Sequence, residues 1–180
     1  LQQGITSVIA VGATINLLTL REKFRNKSYA PAIYMTGPLL TSYEPPVFEK
    51  LGEDEPFSLV KTADEGRKMV QAQLPYKPDF IKIWYIVQGD DKQKAAVEYF
   101  PVAKAIIEEA HQNNLPVAVH ATERITAQYA VQAGADFLVH SVDDELIGDD
   151  FIKLLKEKNV TLCPTLTVFA GYQNTFGQMH

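Results

Sequence analysis

The chain has 180 residues, of which 46% are hydrophobic and 22% charged, a balance typical of one globular domain or a large part of one. Its 17 Lys and Arg residues against 22 Asp and Glu residues give a net charge of −5, which argues against a nucleic-acid partner, because phosphate binding needs a basic surface. The single cysteine excludes an intrachain disulfide framework, and no stretch reaches the ~18 uninterrupted apolar residues of a membrane span.

Short apolar runs along the chain predict six buried β-strands. The first, Gly4–Gly12, is rich in β-branched residues and bounded by glycines, and the second, Ala32–Thr36, stops at Gly37-Pro38. Unbroken apolar runs are typical of strands buried on both faces in a parallel sheet. The other four predicted strands are Asp79–Val87, Val117–His120, Asp136–His140 and Val160–Cys163.

A long proline-rich and glutamate-rich segment separates the second and third predicted strands. Residues Gly37–Pro56 contain four prolines and four glutamates, which predicts an irregular loop. A loop of that length inside a compact domain is usually functional or mobile.

Helical patterns alternate with the predicted strands. Thr62 and Glu65 fit a capping box, which predicts a helix ending near Gln73. Proline is favoured in the first turn of a helix, because its missing N–H group costs nothing there. The other predicted helices are a part of 13–28, a helix from about Pro101 to Asn113, 123–133 closed by Gly134, and Asp149–Lys158.

This alternation predicts an α/β fold with a parallel sheet. No G-x-G-x-x-G pattern follows the first strand, which disfavours a dinucleotide-binding fold and favours a (β/α)₈ barrel. A complete barrel needs eight strands and ~250 residues. Six strands in 180 residues therefore predict an incomplete TIM barrel.

Three polar residues stand at or near the carboxyl ends of predicted strands, where a barrel builds its active site. Lys82 lies inside a strongly apolar strand, where its charge is costly to bury unless it is paired or removed. His120 and His140 end two consecutive strands 20 residues apart, and neutral imidazole is the commonest metal ligand. The pattern predicts a shared metal or catalytic site, although strand-end histidines and lysines can also be structural.

Other polar residues carry weaker signals. His111 is expected to be a solvated residue near a helix end, and Cys163 a small buried hydrophobic residue. The acidic residues of 143–145 and 149–150 are expected at the amino ends of helices, where the helix dipole favours negative charge.

The chain resembles the amidohydrolase superfamily, and within it the imidazolonepropionase-like and Xaa-Pro-dipeptidase-like (prolidase-type) branch. The motifs that carry the resemblance share the order and spacing found there, although each is weak alone. They are Gly4-Ile5-Thr6-Ser7-Val8, Asp79-Phe80-Ile81-Lys82-Ile83, Val117-Ala118-Val119-His120-Ala121, 133–140 and Pro164-Thr165-Leu166.

The resemblance implies a metal-dependent (β/α)₈ barrel, flanked by a small β-sandwich. It matches Lys82, His120 and His140 to metal ligands on barrel strands four, five and six, so that residues 1–180 cover strands two to seven of one barrel domain. The family's His-x-His pair and general-base aspartate are absent from this sequence. Together with the start at Leu1 rather than Met, this leads us to expect a fragment, with the aspartate beyond residue 180 and the β-sandwich and strands one and eight elsewhere.

The activity implied by the resemblance is hydrolysis of carbon–nitrogen bonds by a metal-activated water. One or two divalent ions, with zinc as the expected metal, would be held by these ligands. The lysine that Lys82 matches is often carboxylated in the family, which implies a carboxylated Lys82 here. The substrate would be a small molecule or dipeptide with an amide, cyclic amide or dipeptide bond. Trp84 departs from the small residues that many relatives carry after the lysine.

Two other functions stay open on the sequence. One is a metal-independent TIM-barrel lyase that uses Lys82 as a Schiff-base nucleophile. The other is a truncated, non-catalytic barrel module. The fragment alone is expected to be inactive, homo-oligomer formation is left open, and the compartment is open between the cytoplasm and export after removal of a leader.

Overall fold

The computed structural model describes residues 1–43, 55–167 and 171, and within these ranges eight β-strands form two parallel sheets. The strands are β1 Ser7–Ala10, β2 Ala32–Met35, β3 Leu39–Thr41, β4 Phe57–Leu59, β5 Ile81–Trp84, β6 Val117–His120, β7 Phe137–Val139 and β8 Thr161–Cys163.

The larger sheet has the order β4-β3-β5-β6-β7-β8, and β1 pairs with β2 in a separate two-stranded sheet. Every pairing is parallel, and from β5 onward each strand lies beside the next one in the sequence. This arrangement confirms the predicted α/β fold with a parallel sheet.

Helices follow or precede these strands as the sequence predicts. Two short 3₁₀ helices, Glu22–Phe24 and Leu74–Tyr76, extend the first two α-helices. None of the helices in the described ranges is long and apolar enough to cross a membrane. The α-helices are α1 Ile15–Arg21, α2 Ala63–Gln73, α3 Lys92–Gln112, α4 Arg124–Ala133 and α5 Asp149–Glu157.

Two helix termini form as their local residues predict. The Thr62 side chain accepts a hydrogen bond from the Glu65 backbone N–H, and the Glu65 side chain accepts one from the Thr62 backbone N–H, so the capping box is complete. Gly134 follows α4 with φ +105°, a left-handed conformation that glycine adopts without a steric penalty.

The predicted start of α3 is wrong by about nine residues. The helix begins at Lys92, where the Asp91 side chain accepts a hydrogen bond from the Lys94 backbone N–H, and Pro101 lies inside it. An Asp N-cap satisfies one of the free amino-terminal N–H groups, and here it sets the start of the helix. Pro101 then removes one hydrogen bond from a long helix that tertiary packing supports.

The prediction of a single irregular loop over Gly37–Pro56 is also wrong in part. Leu39–Thr41 forms β3, and Phe57–Leu59, directly after the predicted loop, forms β4 beside it. Strands of three residues carry too little periodicity to be recognised next to prolines. Residues 44–54 of the predicted loop lie outside the described residues.

The two faces of the larger sheet differ in their packing. Alternate side chains such as Leu40, Ile83 and Val119 join the main apolar core with α2, α3 and α4. Phe80, Ala118 and Val139 form a separate small cluster on the opposite face. Strand alternation also places Lys82 and His120 on this opposite side, which we call the inner face.

Candidate active site

Strand register aligns the candidate residues in two rows across the inner face. Lys82 pairs with Ala118, and two residues further along both strands Trp84 pairs with His120. His120 pairs in turn with Val139, and Val139 with Cys163. The deeper row therefore holds Lys82, and the row at the carboxyl end holds His120.

The structure brings His120 and His140 together, as the sequence predicts. Their ring centroids are 4.6 Å apart, with the rings inclined by 72° in an edge-to-face arrangement. His140 lies directly after β7 with φ +79°, in the left-handed region, and its backbone N–H donates to the Cys163 carbonyl at 3.0 Å. Non-glycine residues in this region are uncommon and cluster at functional sites.

Lys82 is buried beneath the histidines with 2% of its surface exposed. Within the described residues its Nζ has no hydrogen-bond partner. Burial lowers the pKa of the Lys82 ammonium to about 7, opposed by a smaller effect of Cys163. A buried cation without a partner is costly, so the amine is held close to its neutral form.

The pKa values of both histidines are lowered. Burial lowers the pKa of His120 to about 3, with further contributions from the charges of Lys82 and His140. Burial and the Lys82 charge also lower the pKa of His140, while Asp143 opposes them. Both imidazoles are therefore neutral near pH 7, the form that binds metals.

Thr165 restricts the ring orientation of His140. Its hydroxyl lies 2.5 Å from His140 Nδ1, which leaves Nε2 as the ring nitrogen for another partner. Hydrogen bonding of one imidazole nitrogen commonly fixes the tautomer of a metal-binding histidine. The sequence placed Thr165 in a family-like motif, but no spacing rule predicts this side-chain contact.

Two aromatic residues lie beside His120, in the direction of β5 and β4. The Trp84 ring centroid is 5.6 Å from that of His120 and 4.8 Å from that of Phe57. Phe57 belongs to β4, one of the two strands that the sequence pattern missed, so its place beside the site was not predicted.

The prediction that Cys163 is buried is wrong, since its side chain is exposed. It belongs to β8, which is the last strand of the sheet and has a paired neighbour on one side within the described ranges. Side chains on the last strand of a sheet have neighbouring strands on one side only and are therefore more exposed. The position of a strand in the sheet order cannot be read from hydrophobic periodicity.

A model of the amidohydrolase family matches residues 1–174. The chain belongs to the amidohydrolase family. A comparison with curated proteins finds no match.

Solved structures of other amidohydrolases share the fold. A Xaa-Pro dipeptidase with methionine bound in its active site is 22% identical with a TM-score of 0.73, and the match covers 95% of this chain and 45% of that one. A prolidase complexed with N-methylphosphonate-L-proline is 21% identical with a TM-score of 0.71, covering 97% and 46%. Ochratoxinase from A. niger is 19% identical with a TM-score of 0.73, covering 97% and 45%.

The chain thus spans about half the length of the solved structures that it matches. At these identities the likeness establishes the fold, and it confirms the predicted amidohydrolase barrel, incomplete in this chain.

The side chains at this site of the amidohydrolase chain supply part of a ligand set for a divalent metal. The described ranges contain no group of three His, Cys, Asp or Glu side chains placed to hold an ion. They do contain two adjacent neutral imidazoles, above a buried amine whose nitrogen lacks a partner. Imidazole nitrogens suit zinc, and a carboxylated lysine would add an anionic oxygen donor.

Proposed function

We propose that this chain supplies part of the active site of a metal-dependent hydrolase that cleaves carbon–nitrogen bonds in amides, cyclic amides or dipeptides. The observation that carries the proposal is the unpartnered, buried Nζ of Lys82 beneath the paired rings of His120 and His140. The dipeptidase, prolidase and ochratoxinase among the matching structures support a hydrolase.

His120 and His140 would hold one or two zinc ions. A bound zinc ion lowers the pKa of its water toward about 7 and polarises a carbonyl group. His120 is neutral well below pH 7 because its pKa is about 3, so its lone pair is available without loss of a proton. Thr165 contacts Nδ1 of His140, so that Nε2 would be the nitrogen that binds the ion.

Lys82 would contribute in its carboxylated form. Its pKa of about 7 leaves much of the amine neutral near pH 7, and a neutral amine adds to carbon dioxide to give a carbamate and one proton. The carbamate is an anion with two oxygens, which replaces an unpaired cation by a metal-binding group. Paired with the metal ion, the carbamate would no longer be an unpaired buried charge.

In this proposal residues 1–180 form the central part of one barrel domain. We assign β1 to barrel strand two, β2 and β3 to strand three, β5 to strand four, and β6, β7 and β8 to strands five, six and seven. The general base and the remaining metal ligands are assigned to segments other than residues 1–180.

Zinc titration of the full chain by calorimetry tests the proposal. We expect His120→Ala and His140→Ala each to weaken zinc binding by at least about tenfold, a loss of about 1.4 kcal/mol. His111→Ala is the matched control, because His111 contacts Asp136 in the described structure and lies away from the paired rings. Equal zinc affinity in all four proteins would contradict the proposal.

The lowered pKa of Lys82 favours one alternative, a metal-independent lyase that forms a Schiff base. A neutral lysine amine in an apolar site is a suitable nucleophile for carbonyl substrates. Borohydride trapping with a simple aldehyde, followed by peptide mass analysis, tests it. A reduced adduct on Lys82 together with no zinc binding would favour the lyase over the hydrolase.

A further inference from the structure

A cavity of about 240 Å³ lies between β2, the segment that follows α1, and the residue Asp79. Asp79 precedes the amino end of β5, whereas Trp84, which contacts His120, ends that strand. The cavity therefore lies toward the opposite end of β5 from the candidate active site. Within the described ranges the two share no lining residue.

A buried ion pair forms part of the cavity lining. The Arg21 side chain is 2% exposed and donates to the Asp79 carboxylate and, at 2.7 Å, to the Lys77 carbonyl. The same carboxylate accepts a hydrogen bond from the Met35 backbone N–H at 2.7 Å. The charge of Arg21 is therefore matched by Asp79, and the pair connects α1 and β2 to the start of β5.

Two further cations, Arg25 and Lys27, line the cavity. Arg25 donates through Nε and Nη2 to the Glu22 carboxylate at 2.8 Å and 2.7 Å, which matches its charge and leaves Nη1 without a partner among the described residues. Lys27 is exposed, and its amine has no ion-pair or hydrogen-bond partner in the same part of the chain. The cavity thus offers one unmatched positive charge and several N–H donors, which suits a single carboxylate.

Two aromatic rings line the cavity beside these cations. Phe24 is 39% exposed and Tyr34 is 48% exposed, and neither ring packs on another ring in the described ranges. An aromatic group would cover these open surfaces and displace water from them. The cavity is smaller than the ~300–1,000 Å³ of typical drug-sized sites, so it suits a molecule with one ring.

We propose that this cavity binds a small aromatic monocarboxylate, with its carboxylate at Arg25 and Lys27 and its ring against Phe24 and Tyr34. A nucleotide would bring more negative charge than the one unmatched cation offsets, and more volume than the cavity holds. A neutral aromatic compound would leave the charge of Lys27 unmatched. The inference does not depend on metal binding or hydrolysis, because the histidine pair lies outside the cavity.

Calorimetric titration of the full chain without added metal tests the inference. The probe is 3-phenylpropanoate, which carries one ring and one carboxylate. The comparison compounds are 3-phenylpropanamide, which keeps the ring without the charge, and propanoate, which keeps the charge without the ring. We expect 3-phenylpropanoate to bind at least about tenfold more tightly than either comparison compound.

Variants with matched controls locate the binding site. Lys27→Met should weaken binding of 3-phenylpropanoate by about tenfold, and Lys23→Met, four residues earlier and outside the cavity lining, should not. Tyr34→Leu should likewise weaken binding, whereas Tyr29→Leu, at a residue that is 70% exposed and also outside the lining, should not. All four side chains are exposed, so circular dichroism should show an unchanged fold in each variant.

Equal binding of 3-phenylpropanoate and either comparison compound, no binding of 3-phenylpropanoate, or equal affinity in a variant and its control would overturn the inference. Weaker binding in His120→Ala together with full binding in Lys27→Met would place the acid at the candidate active site, and would also overturn it. The proposed function is judged separately, by zinc binding to His120 and His140.

Discussion

Lys82 lies one row deeper on the inner face than His120, since Lys82 pairs with Ala118 and His120 pairs with Trp84. This offset places a buried amine beneath the ring pair of His120 and His140, and the Lys82 charge lowers the pKa of both histidines. The protonation of the three groups is therefore coupled, and it can be tested one residue at a time.

The first prediction concerns stability and pH. The pKa of Lys82 is about 7 in the folded protein against 10.5 for the ordinary side chain, so between these values the unfolded state binds a proton that the native state does not. The free energy of unfolding should therefore rise with pH across this window, by up to about 1.4 kcal/mol per pH unit from this group. Urea unfolding at several pH values measures the slope.

Lys82→Met should remove that slope and stabilise the metal-free protein most at the lower end of the window. Lys104→Met is the control, because Lys104 is an exposed residue that pairs with Glu108 on α3. The prediction fails if Lys82→Met and wild type show the same slope.

The second prediction concerns the titration of His120. With a pKa of about 3, its ring should stay neutral from about pH 7 to about pH 5, where an ordinary histidine with a pKa near 6.5 becomes protonated. NMR of the ring protons, assigned with His120→Ala, measures this. Because the Lys82 charge contributes to the lowering, Lys82→Met should raise the pKa of His120, and an unchanged titration would refute the coupling.

The sequence predicts those features of the site that depend on residue type and on local spacing. Lys82, His120 and His140 could be named because a charged or ionisable residue within an apolar strand is conspicuous, and strand ends meet at one edge of a parallel sheet. The capping box of Thr62 and Glu65 is likewise a local interaction that spacing encodes.

The features that the sequence missed depend on packing between distant segments. Phe57 on β4 reaches Trp84 on β5 because β3 pairs with both strands, and Thr165 reaches His140 because β8 pairs with β7. The exposure of Cys163 follows from the position of β8 in the sheet order, which a linear pattern does not specify.

The third prediction concerns Thr165. If its hydroxyl fixes the His140 ring, Thr165→Val should weaken zinc binding by about 10-fold to 100-fold, because the ring loses the hydrogen bond that orients it. Thr165→Ser keeps a hydroxyl and should restore most of the affinity. Calorimetric zinc titration of both variants is the measurement, and equal loss in both would show that the hydroxyl is not the cause.

The last prediction is that the chain expressed alone shows no metal-dependent turnover. Lys82, His120 and His140 are the candidate donors in the described ranges, and no third His, Cys, Asp or Glu joins the histidines there. A zinc ion would thus lack the ligands and the general base that hydrolysis requires. Assays of dipeptide and cyclic-amide hydrolysis with added zinc measure this.

The same protein should also self-associate. In the described sheets β8 is paired on one side only, and so is β1, which leaves backbone donors and acceptors open on strand edges. Exposed apolar side chains such as Ile9 and Phe137 add to this tendency. Light scattering should therefore report a mass above that of one chain. Zinc-dependent turnover by a stable monomer would contradict both the number of donors counted here and the role assigned to the strand edges.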